Sequence, residues 1–230
     1  MSSRPRRISA SLDEMIARRV EFLTAYQNAG YAARYRALVE KVRSAEAARV
    51  PGKIQLTEAV VRYAFKLMAY KDEYEVARLF ADGRFAAQVA EQFEGSVRFD
   101  FHLAPPVLAR HDPITGEPRK MTFGPWLMIV FKLLAKMKGL RGTPFDPFGW
   151  TTERRIERQL VEDYFALMDE VIARLAPETH TLAVGLAVIP DKIRGYGPVK
   201  ARHLASAKAE EAALLAQFRS GAPLLREAAE

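Results

Sequence analysis

The residues best placed to do chemistry lie near the C-terminus. Lys192, Arg194, Gly195, Gly197, Lys200 and Arg202 fall within one short basic stretch, Lys192-Ile193-Arg194-Gly195-Tyr196-Gly197-Pro198-Val199-Lys200-Ala201-Arg202. Glycines let backbone amides come close to an anion, and the helix expected to follow offers its N-terminus. Arg194 could add a two-pronged contact to a phosphate or carboxylate. The spacing matches neither a P-loop nor a dinucleotide fingerprint. A basic loop that merely links two helices is the competing reading.

Three further groups of polar residues stand out. Lys71, Asp72 and Glu73 interrupt an apolar run and read either as a charged junction exposed to a partner or as an ordinary helix boundary. Arg154, Arg155 and Arg158 open a long helical stretch, where positive charge opposes the macrodipole. That conflict points to an acidic neighbour, on this chain or on another. With the first three they form a candidate interface. His102 shares a strand face with Arg98 and Asp100, so a general base built from His102 and Asp100 is conceivable. A surface histidine is the simpler reading, because no nucleophile accompanies it. His111, His180 and His203 match no metal template.

These residues need elements to hold them. Ser11 and Glu14 have capping-box spacing, and Leu12, Met15, Ile16, Phe22, Leu23 and Tyr26 recur at helical intervals up to Gly30. A second helix is expected from about Ala32 to Ala48. The two form a helical hairpin over 11–49 that could pack as a semi-independent arm. A third, from about Thr57 to Ala69, is apolar nearly all round, which marks a central helix. Val76, Leu79 and Phe80 continue the apolar pattern to Gly83, and Phe85, Val89 and Phe93 mark a short helix.

The middle of the chain changes period. Val97, Phe99, Phe101 and Leu103 alternate with polar residues, as in a half-buried strand. Asp112-Pro113-Ile114-Thr115-Gly116 reads as a tight turn leading to Arg119–Phe123. An apolar helix, Trp126 to Met137, stops at Gly139. Phe145, Phe148 and Trp150 lie in the next loop, where aromatics are expected to pin it to the core. Thr151 or Thr152 then caps a helix with the stripe Ile156, Leu160, Tyr164, Leu167, Met168, Val171, Ile172 and Leu175. Pro177 suits the first turn of the next helix, and the last runs from about Val199 to Arg219. The expected fold is mainly α, with one small antiparallel β element near the middle. Residues 1–10 are read as a flexible segment, 11–220 as a single helical domain and 221–230 as a frayed tail.

Composition sets outer bounds. The 230 residues carry a formal charge of +7, but 28 acidic residues are interspersed among 35 basic ones. No run of five or more basic residues occurs, so the charge argues for a mixed surface rather than a nucleic-acid stripe. With no cysteine, the chain can form no disulfide and supply no thiolate to zinc or an iron–sulfur cluster. The N-terminus lacks the apolar core of a secretory signal, and the apolar run near Trp126 to Leu134 is broken by Lys132 and too short to span a bilayer. The reading is a soluble cytoplasmic protein without a membrane partner.

Several longer words are more specific than any of these patterns. Phe65-Lys66-Leu67-Met68-Ala69-Tyr70-Lys71-Asp72-Glu73-Tyr74-Glu75-Val76-Ala77-Arg78-Leu79 resembles the C-terminal region of large fused bacterial indolepyruvate ferredoxin oxidoreductases. So do Phe101-His102-Leu103-Ala104-Pro105-Pro106, Phe123-Gly124-Pro125-Trp126, Leu140-Arg141-Gly142-Thr143 and Ile193-Arg194-Gly195-Tyr196-Gly197-Pro198-Val199-Lys200. The likeness extends from about Ser9 to Phe218. It implies a parent that oxidatively decarboxylates aryl 2-oxoacids with thiamine diphosphate and coenzyme A, passing electrons through iron–sulfur clusters to ferredoxin.

This chain departs from that machinery. Asp82-Gly83 lacks the preceding glycine of a thiamine diphosphate motif, and there is no cysteine for a cluster. No catalytic residue carries over, and no cofactor is expected within this stretch. The resemblance implies an accessory domain that supports assembly or covers an active site. Its partners would be the catalytic domains of the parent, within a longer chain, with a second copy of the chain as a further candidate. Met1 is then expected to mark the start of an expressed fragment or of a truncated reading frame. The alternative is a ligand module that holds coenzyme A phosphates or a carboxylate at Lys192, Arg194, Gly195, Gly197 and Lys200. Nucleic-acid binding rests on net charge alone and ranks last.

Overall fold

A computed structural model describes residues 11–83, 87, 89, 91–92, 98–103 and 121–221. The segments 1–10 and 222–230, the Asp112–Gly116 turn, His111, Pro105-Pro106, and Phe85 and Phe93 of the expected short helix lie outside the described residues. The fold is mainly α with one small two-stranded antiparallel sheet. The stretch 11–220, read from sequence as one domain, divides into two compact units. One comprises Met1–Tyr70 and Gln159–Glu230, and the other is Lys71–Arg158. The division falls where Lys71, Asp72 and Glu73 break the apolar run.

The first unit begins with α1 (Leu12–Tyr26) and α2 (Ala29–Arg49). The capping box forms as its spacing predicts: the Glu14 amide donates to Ser11 Oγ at 3.2 Å, and the Ser11 amide to Glu14 Oε2 at 3.0 Å. Asn28 caps α2 by accepting from the Tyr31 amide at 2.8 Å. The following helix, α3 (Gln55–Met68), is buried along Leu56, Val60, Val61, Ala64 and Met68. Ile16, Leu23, Tyr35, Val39 and Val42 of the hairpin share one hydrophobic cluster with α3, so its two helices are built into this unit's core.

Buried tyrosines complete the helix ends. Tyr26 donates to the carbonyl of Tyr70 at 2.9 Å, and Tyr31 to that of Met68 at 3.0 Å. These are carbonyls at the end of α3, where no intrahelical donor remains. The same core takes Leu160, Tyr164, Leu167, Met168, Val171 and Ile172 from the long helix Thr152–Arg174. It also takes Leu182, Ala183 and Leu186 from the helix His180–Val188, and Phe218 from the helix Gly197–Ser220.

The helix expected to open at Pro177 starts instead at His180, after a turn in which the Ala176 amide donates to Thr179 Oγ1 at 3.1 Å. Ile156, expected on the buried stripe, is exposed. It belongs to the first turns of its helix, which lie in the second unit, whereas the core that the stripe serves is the first unit's.

In the second unit α4 (Glu73–Ala81) meets α5 (Leu127–Lys136). Strands β1 (Phe101–Leu103) and β2 (Met121–Phe123) pair antiparallel, with Phe101 opposite Phe123 and His102 opposite Thr122. The alternating stretch predicts a longer strand; Val97 lies outside the described residues, and of 98–103 the three residues Phe101–Leu103 pair. Phe80, Phe101 and Phe131 form a ring cluster with centroids 5.2–5.4 Å apart, the centre of this unit's apolar core. A 3-10 turn, Met137–Leu140, ends α5. The three remaining helices are numbered in order: α6 (Thr152–Arg174), α7 (His180–Val188) and α8 (Gly197–Ser220).

Candidate functional site

The second unit gathers most of the residues suspected of contacting a partner and satisfies them internally. Asp72 sits at the cap of α4, where its Oδ1 accepts from the Glu75 amide at 2.8 Å. Arg141, just after the 3-10 turn, donates to the same carboxylate through Nε at 2.5 Å and Nη2 at 2.9 Å. Both side chains are buried, so this two-pronged pair is sealed from solvent. The Arg141 guanidinium also lies 5.5 Å from the ring centroid of Tyr74.

A second carboxylate organises the loop 141–150. Asp146 accepts from Tyr74 Oη at 3.1 Å, from the Gly142 amide at 2.9 Å and from the Phe148 amide at 3.1 Å. Burial, and then the negative charge of Asp146, push the Tyr74 phenol above its ordinary pKa, so it remains a donor. The aromatic anchors of the loop are therefore fewer than expected. Phe148 meets Tyr74 edge to face at 5.3 Å, but Phe145 is 81% exposed and Trp150 71% exposed. Hydrogen bonds to Asp146 hold the loop where the sequence suggests aromatic packing.

The acidic neighbour demanded by the arginines at the start of α6 is Glu73. Arg154 reaches it through Nε and Nη2, each at 3.2 Å. Burial disfavours the charged guanidinium, but the bonds to Glu73 outweigh it and raise the Arg154 pKa. Arg158 donates to the Gly149 carbonyl at 2.6 Å. Arg155 and Lys71 are exposed. Of the six candidate interface residues, Asp72, Glu73, Arg154 and Arg158 are thus committed within the unit. Glu75, also buried, is held by Arg78 at 2.7–2.8 Å.

On the small sheet, His102 Nδ1 lies 3.0 Å from Thr122 Oγ1, while Asp100 lies 3.6 Å from Arg98. The two halves of the conceivable His102–Asp100 base therefore have other partners.

The first unit holds the basic loop. Gly195 and Gly197 adopt positive φ, 89° and 52°, the conformations only glycine takes without strain. Arg194 is bound to Asp191, with Nη2 2.6 Å from its carboxylate, and Lys192 pairs with Glu210. Lys66 donates to the carbonyls of Pro190 and Asp191 at 2.7 and 3.1 Å. Burial, and then the positive charges of Arg194 and Lys200, lower the Lys66 pKa against the pull of Asp191. Lys66 and Arg194 thus meet at the Asp191 carbonyl, to which they donate at 3.1 and 2.8 Å, a grouping not visible in sequence because Lys66 lies on α3.

Sequence reasoning also missed Glu46. It is buried on α2 and caps α3 from a distance, accepting from the amides of Leu56 at 2.9 Å and Thr57 at 2.8 Å. His180 Nε2 lies 2.7 Å from the same carboxylate. Burial opposes ionisation, but these bonds overcome it and hold the Glu46 pKa below its ordinary value. A carboxylate–imidazole pair can do acid–base chemistry when a substrate reaches it. This one is sealed and joins two helices and a helix start. Among the described residues no group of three or more acidic, histidine or cysteine side chains could hold a metal ion, and no helix is long and apolar enough to cross a membrane.

No curated protein and no solved structure matches the chain significantly. A family model matches residues 12–213, and the chain belongs to that family, the family of unknown function DUF6537.

Proposed function

We propose that the chain is an accessory, non-catalytic domain of an aryl 2-oxoacid:ferredoxin oxidoreductase, an assembly module for the thiamine diphosphate-, coenzyme A- and iron–sulfur-dependent catalytic domains. The observation that carries this reading is a division of labour. Buried ionisable groups, among them Asp72, Glu75, Arg141, Asp146, Glu46 and His180, are engaged in internal bonds. Large apolar side chains face outward instead, among them Trp126, Ile129, Leu133, Phe145 and Trp150. Polar groups spent on architecture and apolar groups held at the surface suit docking better than turnover. The resemblance of the words around Lys71–Glu73, Arg141 and Arg194 to the C-terminal region of those oxidoreductases supports this choice of parent.

The test has two steps. An immunoblot of source cells with an antibody to this chain is expected to show a band several-fold larger than 25.9 kDa. Deleting residues 12–213 from that polypeptide is then expected to impair assembly or turnover of indolepyruvate oxidation. A band at 25.9 kDa, or a deletion that leaves assembly, stability and turnover unchanged, refutes the reading.

A second reading, an anion-ligand module, is favoured by the approach of Lys66 and Arg194 to the same Asp191 carbonyl. The pairing of Arg194 with Asp191 and of Lys192 with Glu210 weighs against it, because an incoming anion must compete with those carboxylates. Titrating coenzyme A into the chain tests it: no heat and no rise in melting temperature removes it.

A further inference from the structure

We infer that the outer face of α5 is a docking surface for a protein patch that presents acidic side chains around an apolar centre. This rests on the reading of the chain as an assembly module and names the surface that would do the assembling.

Helix α5 has two apolar faces, and among the described residues only one is packed against a core. Leu127 and Phe131 point inward, against the cluster that contains Ala77 and Phe101. Trp126, Ile129 and Leu133 point outward and are 56%, 72% and 59% exposed. They recur at i, i+3 and i+7, so they form one stripe rather than scattered surface residues. A stripe of this kind with tryptophan at its end has the make-up of an interface hot spot.

The charges on the stripe indicate the occupant. Lys132 and Lys136 are exposed, and neither forms an ion pair or hydrogen bond among the described residues. The sequence of α5, LMIVFKLLAK, contains no acidic residue that could neutralise them. Lys132 is three residues from Ile129, and Lys136 is seven, so both border the apolar stripe on its Ile129 side. A partner must therefore bring carboxylates and apolar atoms together.

Two other occupants fit less well. A second copy packed isologously would set the lysines of one α5 against those of its partner, with no carboxylate on the helix to separate them. A bilayer-lying helix segregates a wide apolar face from a cationic one. Here Ile129 and Lys136 occupy the same line, so sinking one into acyl chains drags the other. Acidic side chains on a protein partner reach both lysines without that conflict.

The test reads Trp126. The chain has two tryptophans, so Trp150→Phe leaves Trp126 as the sole indole. Three probes are added to this variant: a synthetic amphipathic helix of Leu and Glu, its Leu and Lys counterpart, and phosphatidylglycerol-rich vesicles. A saturable blue shift with the Glu peptide alone is expected, with affinity falling by about tenfold or more in Lys132→Glu/Lys136→Glu, since like charges now face each other. Equal shifts with both peptides, a shift with vesicles only, no shift at all, or a shift that grows with protein concentration alone each overturn the inference. If the charge-reversed variant fails to fold, the two peptides on the unreversed protein still decide. No oxidoreductase is involved, so a failure of this inference is separate from a failure of the proposed function.

Discussion

Arg141 grips Asp72 by two parallel hydrogen bonds while the same carboxylate caps α4 through the Glu75 amide. One side chain therefore starts a helix and neutralises the guanidinium of Arg141. Removing Asp72 takes the two-pronged carboxylate from a buried guanidinium and uncaps α4. Asp72→Ala should cost about 3–5 kcal/mol in urea unfolding, the usual result of breaking a buried pair from one side. Removing both charges in Asp72→Asn/Arg141→Met should cost less than Asp72→Ala alone. A double variant worse than the single one would mean that the pair contributes little beyond the cap.

Glu46 gives a pH signature. Its folded-state pKa lies below the ordinary carboxylate value of about 4.3. The folded state therefore binds fewer protons at this site than the unfolded state. The stability it adds is complete above the unfolded value and is lost as pH falls through the lower, folded one. Glu46→Gln should be about 2 kcal/mol less stable near neutral pH, because amides at Leu56 and Thr57 keep a weaker acceptor and His180 loses its carboxylate. The gap between the two stability curves should narrow only below about pH 4.3. A gap that is constant down to acid would remove the ionised carboxylate from the account.

The particular residues show what the sequence reveals and what it conceals. Ser11 with Glu14 announces its capping box because both partners are three residues apart. The stripe of α6 is legible for the same reason, from Leu160 onward, since helical period is a local property. Asp72 with Arg141 and Glu46 with Leu56 and Thr57 are pairings across turns and between helices, and no spacing encodes them. Glu46 also explains why α3 begins at Gln55 rather than near Thr57: its cap comes from another helix. The macrodipole conflict at Arg154 was a local clue to a distant partner, and it correctly required an acid, although it could not say that the acid was Glu73. Phe145 and Trp150 mislead in the opposite sense, because aromatic identity alone does not distinguish a core anchor from a surface residue.

Gly149 tests the loop built on Asp146. A Cβ at Gly149 would stand 2.5 Å from Asp146 Oδ2, and that carboxylate is tied by three hydrogen bonds and cannot retreat. Gly149→Ala should destabilise by about 2 kcal/mol, as overpacking does. Gly139→Ala is the control: a Cβ there meets nothing within 4 Å, and its φ is not positive. It should be neutral or stabilising by about 0.5 kcal/mol, through a less flexible unfolded chain. Thermal unfolding of the two variants side by side checks the contrast, and equal effects would mean that the loop moves freely.

Glu73 and Arg154 offer the cleanest measure of how firmly the start of α6 is tied down. Both are mostly buried, and their two contacts are 3.2 Å long, weaker than the Asp72–Arg141 pair but protected from water on most sides. Glu73 lies in the first turn of α4, where a negative charge is already favoured by the macrodipole, so Glu73→Gln loses that term as well as the ion pair. Arg154→Met loses the pair but relieves a cation from the first turn of its own helix. The two single variants should therefore differ, with Glu73→Gln the costlier. A double-mutant cycle isolates what they share, and a coupling of about 1 kcal/mol is expected for a pair screened this little. It should shrink only modestly with added salt, since screening acts mainly on exposed charges. A coupling near zero would make Arg154 a surface cation, and the acid that its position demands would then have to come from a partner.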